Sequence, residues 1–175
     1  YPIVTSTGFY MTEIAEFLSR KGMDVHVICT GAKYNETASY VMKKYEEHNG
    51  VIIHRVLALG IDKNDFIKRA LRILASSMCL FFLILKKVKK GDELLVVTNP
   101  AFLLVFMPLI SFLKGIRYKL LVHDIFPENM VAIRRMKDSS FAYHFFRVIF
   151  NKSYSNADVC ISIGRDMREI LRKKT

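Results

Sequence analysis

The chain has 175 residues, of which 51% are hydrophobic and 25% charged, so it is the size of one domain and can bury a substantial core. This composition excludes an intrinsically disordered chain. The net charge of +11 indicates an anionic partner such as nucleotide phosphates, nucleic acid or an acidic membrane surface, although a basic protein without such a partner fits the same number.

The first third of the chain predicts a helix followed by strands. Met11, Ile14, Ala15 and Leu18 have the i, i+3, i+4, i+7 spacing of a helix packed on a sheet. Thr7 is the expected cap of this helix, and a glycine at position 22 the expected end. Apolar and β-branched runs then predict strands at 25–30 and 51–56, with a helix near 37–47 between them.

The remaining elements alternate regularly. The pattern predicts helices at 65–89, 100–113, 140–154 and 165–174, and strands at 93–98, 117–122 and 158–163. Strands that alternate with helices imply βαβ units, and continuous apolar strands are typical of a sheet covered on both faces. The predicted fold class is therefore α/β, with a Rossmann-like, doubly wound and mostly parallel sheet in a single domain.

The start of the chain raises an expectation about what precedes it. A doubly wound domain has a central strand before its first helix, but here the helix follows Tyr1 within a few residues. We therefore expect that the first strand is missing. The chain also begins without methionine, so we expect its true N-terminus and any targeting segment to be missing too.

The cysteines and the apolar runs indicate in which cellular compartment the protein is expected. Cys29, Cys79 and Cys160 are far apart and each lies in an apolar run, which argues against a disulfide framework or a zinc site and favours reduced thiols in a cytosolic protein. The apolar runs 73–85 and 101–113 are too short for a membrane span, which needs about 20 residues. A buried helix and a helix dipping into a membrane interface are both compatible with the first run, which lysines follow at 86, 87, 89 and 90.

The segment that follows the strand at 117–122 is the strongest candidate site. His123, Asp124 and Glu128 lie in one loop directly after that strand, and open α/β sheets bind ligands beyond the carboxyl ends of their strands. His123 is a candidate for proton transfer or for donating to a sugar hydroxyl or phosphate, although a lone histidine is often structural. Glu128 is a candidate for ligand binding or for capping the next turn.

Two other loops hold weaker candidates. Gly8, with Thr7 and the hydroxyls before it, stands at a predicted helix start, where phosphate can bind, but a plain βα turn fits equally well because no phosphate-loop signature is present. Asn99 precedes Pro100 at another strand end, where it either begins a helix or lies beside a ligand. No metal-binding motif or serine or cysteine nucleophile signature occurs.

Basic stretches at 134–137 and 165–174 fit either solvated faces or docking on anionic lipid. Nucleic-acid binding would rest on charge alone, because no recognised binding motif accompanies it. We therefore expect no nucleic-acid partner.

The order of these motifs resembles the N-terminal domain of family 4 glycosyltransferases with the GT-B fold, in particular the bacterial enzymes of capsule, O-antigen and colanic-acid assembly. The resemblance spans nearly the whole chain. It rests on the Tyr-Pro start, the Arg-Lys-Gly turn into a strand within 19–28, the strand at 50–56, the Thr-Asn-Pro turn within 97–100, the His-Asp-Ile-Phe-Pro-Glu loop at 123–128 and the closing strand and helix from 158.

The resemblance implies a retaining transferase that moves a sugar from a nucleotide-diphosphate donor to a lipid-linked or polysaccharide-precursor acceptor. It implies His123 as the catalytic residue, with Thr7, Gly8, Asn99, Asp124 and Glu128 binding substrate and with neither cofactor nor metal. It also implies a cytoplasmic protein, peripheral at the inner face of the membrane, with an anionic lipid surface as a further partner.

This sequence departs from the family pattern at several points, which limits the functional roles that the resemblance can assign to its residues. The usual glycine pair of the first loop is reduced to Gly8, and the C-terminal donor domain with its Glu-x7-Glu motif does not occur in this sequence. The chain, residues 1–175, is thus expected to be the acceptor-side domain and to be inactive alone. The alternative is a non-catalytic, membrane-docking subunit of a split glycosyltransferase.

Overall fold

The computed structural model describes residues 6–31, 43–57 and 66–175. The chain divides into two compact units, Tyr1–Leu83 and Ile84–Thr175. The predicted loop at Tyr1-Pro2 and the strand expected before it lie outside the described residues, as does the first part of the helix predicted near 37–47.

In its described part, the first unit has a helix that packs on a three-stranded sheet. Its described elements are α1 (Ser6–Arg20), β1 (Val25–Gly31), β2 (Tyr45–His48), β3 (Val51–Leu57) and the greater part of α2 (Phe66–Lys87). Strands β1 and β3 are parallel, whereas β2 runs antiparallel to β3 at the sheet edge. Ala15 of α1 packs with Val51 and Ile53 of β3, so the predicted apolar stripe does face the sheet.

The second unit is built on a parallel sheet. Its elements are β4 (Leu94–Val97), α3 (Ala101–Lys114), β5 (Tyr118–Val122), α4 (Glu128–Ala132), α5 (Phe141–Ser155), β6 (Val159–Ser162) and α6 (Arg165–Arg172). The strand order is β4-β5-β6, and both pairs are parallel. Leu104, Met107 and Ile110 of α3 are fully buried, as are Tyr118 and Leu120 of β5.

The predicted class, an α/β fold with Rossmann-like and mostly parallel strand pairing, is confirmed. Gly115 closes α3, since it adopts the left-handed conformation at φ 61° and its N–H donates to the Ser111 carbonyl. The assignment of the whole chain to a single acceptor-side domain stays a prediction.

Two local predictions are wrong. The last residues of the helix predicted near 37–47 form β2 instead, because Asn49 and Gly50, with φ 49° and 76°, make a tight turn that pairs β2 with β3. Thr7 is not the cap of α1, since the helix already begins at Ser6. Helix α4 had no counterpart among the predicted elements.

Candidate functional site

Thr98 joins the ends of the two strands that carry the site. Because β4 and β5 are parallel neighbours, Thr98 and His123 leave the sheet at the same edge. The Thr98 side chain is buried, and its hydroxyl oxygen accepts hydrogen bonds from the backbone N–H groups of His123, at 3.1 Å, and Asp124, at 3.2 Å. The backbone is therefore fixed where the strand becomes the loop.

Two more hydrogen bonds hold the loop after this point. The hydroxyl oxygen of the fully buried Tyr154 accepts from the backbone N–H of Phe126 at 3.1 Å. The Asp124 carboxylate accepts from the side-chain amide of Asn129 at 2.8 Å. Burial raises the pKa of the Tyr154 phenol, opposed by the hydrogen bond from Phe126, so the hydroxyl stays neutral at physiological pH.

One ring nitrogen of the His123 imidazole stands out by its surroundings. The Nε2 atom is shielded from solvent and has no hydrogen-bond partner among the residues that the structure describes. Leaving such an atom unpaired costs about 1–3 kcal/mol, and an unpaired buried polar atom in an otherwise bonded loop calls for a functional explanation. In the neutral ring, Nε2 either donates or accepts depending on the tautomer, so it suits a hydroxyl or a phosphate oxygen. Because Nε2 is shielded, the imidazole or a side chain next to it has to move before a ligand can reach this atom.

Glu128 is held by a buried lysine. The Lys174 ammonium lies 2.8 Å from Oε1 of Glu128, and it donates to the Asn151 side-chain oxygen at 2.7 Å and to the Phe126 carbonyl at 3.5 Å. The Tyr143 hydroxyl donates to the same Oε1 at 3.3 Å. Burial lowers the pKa of Lys174, and the Glu128 carboxylate opposes that shift. The second oxygen, Oε2, is buried and has no hydrogen-bond partner within the described part of the chain.

The structure brings four of the six predicted site residues to one sheet edge. His123, Asp124 and Glu128 lie in or just after the loop that follows β5, and Asn99 follows β4 beside it. Asp124 and Asn99 are exposed, while His123 and Glu128 are half-buried.

Thr7 and Gly8 belong to the first unit. They lie in the first turn of α1, where the Gly8 carbonyl accepts from the Thr12 hydroxyl at 2.8 Å. Their helix N-terminus has the polarity that attracts a phosphate. Their part in ligand binding stays a prediction.

Sequence reasoning missed three residues that build the loop. Thr98 was noted only as part of a turn, although a hydroxyl at a strand end is a usable signal for a backbone acceptor. Tyr154 was assigned only to a helix, and Lys174 only to a basic run. No local pattern could have paired Lys174 with Glu128, since the two are remote in sequence.

The second unit also has a surface feature that lies apart from the loop. A surface depression at the amino ends of the strands is lined by Arg117, Lys119, Glu93 and Asp158, but these charges already pair with one another there.

Within 6–31, 43–57 and 66–175, no three His, Cys, Asp or Glu side chains form a group that could hold a metal ion. In the same ranges, no helix has the length and apolar character needed to cross a bilayer.

One comparison with known proteins is informative. Over 113 residues the chain is 37% identical to a protein from Pseudomonas aeruginosa named probable glycosyltransferase WbjE. The matched segment covers 65% of this chain but 28% of that protein, so the chain spans little more than a quarter of its relative's length. No family model matches the sequence. No solved structure matches it either. The chain is thus similar to part of a probable glycosyltransferase.

Proposed function

We propose that this chain is the acceptor-side, Rossmann-like domain of a retaining glycosyltransferase of the GT-B type. The whole enzyme would transfer a sugar from a nucleoside-diphosphate donor to a lipid-linked or polysaccharide-precursor acceptor in capsule or O-antigen assembly. The similarity to a probable glycosyltransferase supports the activity class. The site assignment rests on the buried Nε2 of His123 at the carboxyl end of a parallel strand, an atom for which residues 6–31, 43–57 and 66–175 provide no hydrogen-bond partner.

His123 and its loop would act by positioning. Thr98 fixes the His123 backbone, so its imidazole can hold a hydroxyl of the transferred sugar or acceptor through Nε2. Asp124, Glu128 and Asn99 surround the same edge and would line the acceptor pocket. Thr7 and Gly8 would approach the donor diphosphate through the N-terminus of α1.

The chemical step would then rest on orientation and charge stabilisation. The bond from sugar to diphosphate breaks as the acceptor hydroxyl oxygen bonds to the same carbon, and the hydroxyl proton passes to the departing phosphate oxygen. Until that proton arrives, the negative charge developing on the phosphate needs nearby donors. The proposal requires no metal. In the resembled family most of the donor site lies in a second domain, so this chain alone is expected to be inactive.

Replacing His123 in the complete enzyme tests the proposal. We expect His123→Ala to lower turnover by about 100-fold or more, the range for a positioned polar group, with an unchanged circular dichroism spectrum. The assay follows transfer from a panel of radiolabelled nucleoside-diphosphate sugars into lipid extract.

The matched control is His48→Ala, which removes an imidazole from the β2–β3 hairpin, where His48 lies 3.4 Å from Glu16. This variant should keep near-normal turnover. Near-normal turnover of His123→Ala itself would sink the role assigned to His123.

The alternative is a non-catalytic, membrane-docking subunit of a split transferase. It is favoured by the lysines at the end of α2 and by exposed apolar residues on that helix, such as Leu71 and Phe82. Sugar transfer that depends on His123 within the same polypeptide would exclude it.

A further inference from the structure

Helix α5 carries an apolar stripe on its solvent side. Phe141, Phe145 and Val148 are 85%, 52% and 72% exposed, and their i, i+4, i+7 spacing places them along one face. The opposite face is the packed one, with Phe150, Ser153 and Tyr154 buried. Single exposed apolar residues are ordinary, but three large ones in one row mark a surface that contacts something apolar.

Positive charges outnumber negative ones around this stripe, where Asp138 is the one exposed acid in the segment that leads into the helix. Helix α5 contains no Asp or Glu, and the exposed Arg147 adjoins Val148. The segment leading into the helix adds Arg134 and Lys137, both exposed, and Ile133, which is 56% exposed. Apolar side chains interleaved with cations are typical of a helix that lies in the headgroup layer of an anionic bilayer. A second copy of this chain would instead set like charges against each other.

The same helix is joined to the candidate site. Tyr143, in the first turn of α5, donates to Glu128, and Tyr154, in its last turn, accepts from the Phe126 backbone. A surface that docks through α5 would therefore be linked to the His123 loop by direct hydrogen bonds within one compact unit.

We propose that the outer stripe of α5, with the segment 133–137 before it, lies in the headgroup layer of an anionic lipid bilayer. This location would let a lipid-linked acceptor reach the His123 loop while its lipid stays in the membrane. The access of a lipid-linked acceptor to the loop rests on the proposed function, whereas the docking itself does not.

Vesicle sedimentation of the complete protein tests the docking. The protein should bind vesicles with about 30% phosphatidylglycerol at about 0.1 M salt, and bind pure phosphatidylcholine far more weakly. The double variant Phe141→Ser, Phe145→Ser should lower the partition coefficient for anionic vesicles roughly tenfold or more, because both rings lose their apolar environment. Wild-type binding by this variant would overturn the proposal.

The control is the double variant Leu71→Ser, Phe82→Ser on α2, whose side chains are 56% and 61% exposed. It removes comparable exposed apolar surface elsewhere and should keep vesicle binding. Loss of binding in this control alone would move the docking surface to α2 and overturn the proposal. Self-association that the α5 variant abolishes, without vesicle binding by the wild type, would identify a second copy as the occupant and overturn it too.

The experiment also separates the docking from the proposed function. His123→Ala should bind vesicles like the wild type. Docking without His123-dependent transfer would contradict only the proposed function, and transfer without docking only this proposal.

Discussion

At the residue scale, Lys174 shows how one buried charge organises the candidate site. Its ammonium contacts the Glu128 carboxylate, the Phe126 carbonyl and the Asn151 side chain, and it lies 5.6 Å from the centre of the Tyr154 ring. Removing water from an ammonium group is costly, so the cation is tolerated only because each of these partners faces it. The result is a loop whose shape depends on a residue far along the chain.

Replacing Lys174 should therefore destabilise the protein. Lys174→Met keeps the aliphatic stem but leaves the half-buried Glu128 carboxylate without its cation, which we expect to cost about 3 kcal/mol. Urea unfolding of the complete protein measures this loss. The neighbouring Lys173 is exposed, so Lys173→Met should change the free energy of unfolding by less than about 0.5 kcal/mol. Equal effects of the two variants would contradict the role given to Lys174.

At the scale of elements, a proline explains how α3 and α5 are joined. Pro108 lies inside α3 and has no N–H to donate to the carbonyl four residues earlier, that of Leu104. The Ser153 hydroxyl of α5 donates to this carbonyl at 2.7 Å, and the Ser153 carbonyl in turn accepts from Tyr118 of β5 at 2.6 Å. The hydrogen bond that Pro108 cannot donate within α3 is thus replaced by one from α5, and the same serine of α5 is also bonded to the sheet.

This arrangement predicts a coupling between two substitutions. Ser153→Ala should cost about 1–3 kcal/mol, because the buried Leu104 carbonyl loses its donor. Pro108→Ala restores a backbone N–H within α3, so it should stabilise the Ser153→Ala protein more than it stabilises the wild type. A double-mutant cycle by urea unfolding measures the difference. Ser155→Ala, an exposed change on the same helix, should be nearly neutral, and strictly additive effects at 108 and 153 would contradict the explanation.

The helices and strands also show how much of the fold can be predicted from the sequence. The alternation of strands and helices was predictable because each element's apolar pattern is local, and so was the position of the His123 loop after β5. Strand β2 was missed although Asn49-Gly50 is a strong hairpin signal, because the polar residues before it were assigned to a helix. Helix α4 was missed because five residues are too few to show a helical period.

At the scale of the whole molecule, positive charge is concentrated in one unit. Ile84–Thr175 contains 17 Lys and Arg against 8 Asp and Glu, a net +9 of the total +11. This unit also contains the His123 loop and the outer stripe of α5. Charge alone attracts any polyanion, so the discriminating property is the exposed phenylalanines, which favour a lipid surface over nucleic acid.

Salt should separate these two kinds of binding. Oligonucleotide binding driven by charge alone should fall steeply and be lost by about 0.2 M salt, because it depends on counterion release. Binding to anionic vesicles should weaken over the same range but persist, because burial of Phe141 and Phe145 does not depend on salt. Filter binding and vesicle sedimentation of the same preparation make the comparison. Oligonucleotide binding that survives about 0.2 M salt with a sequence preference would contradict the expectation of no nucleic-acid partner.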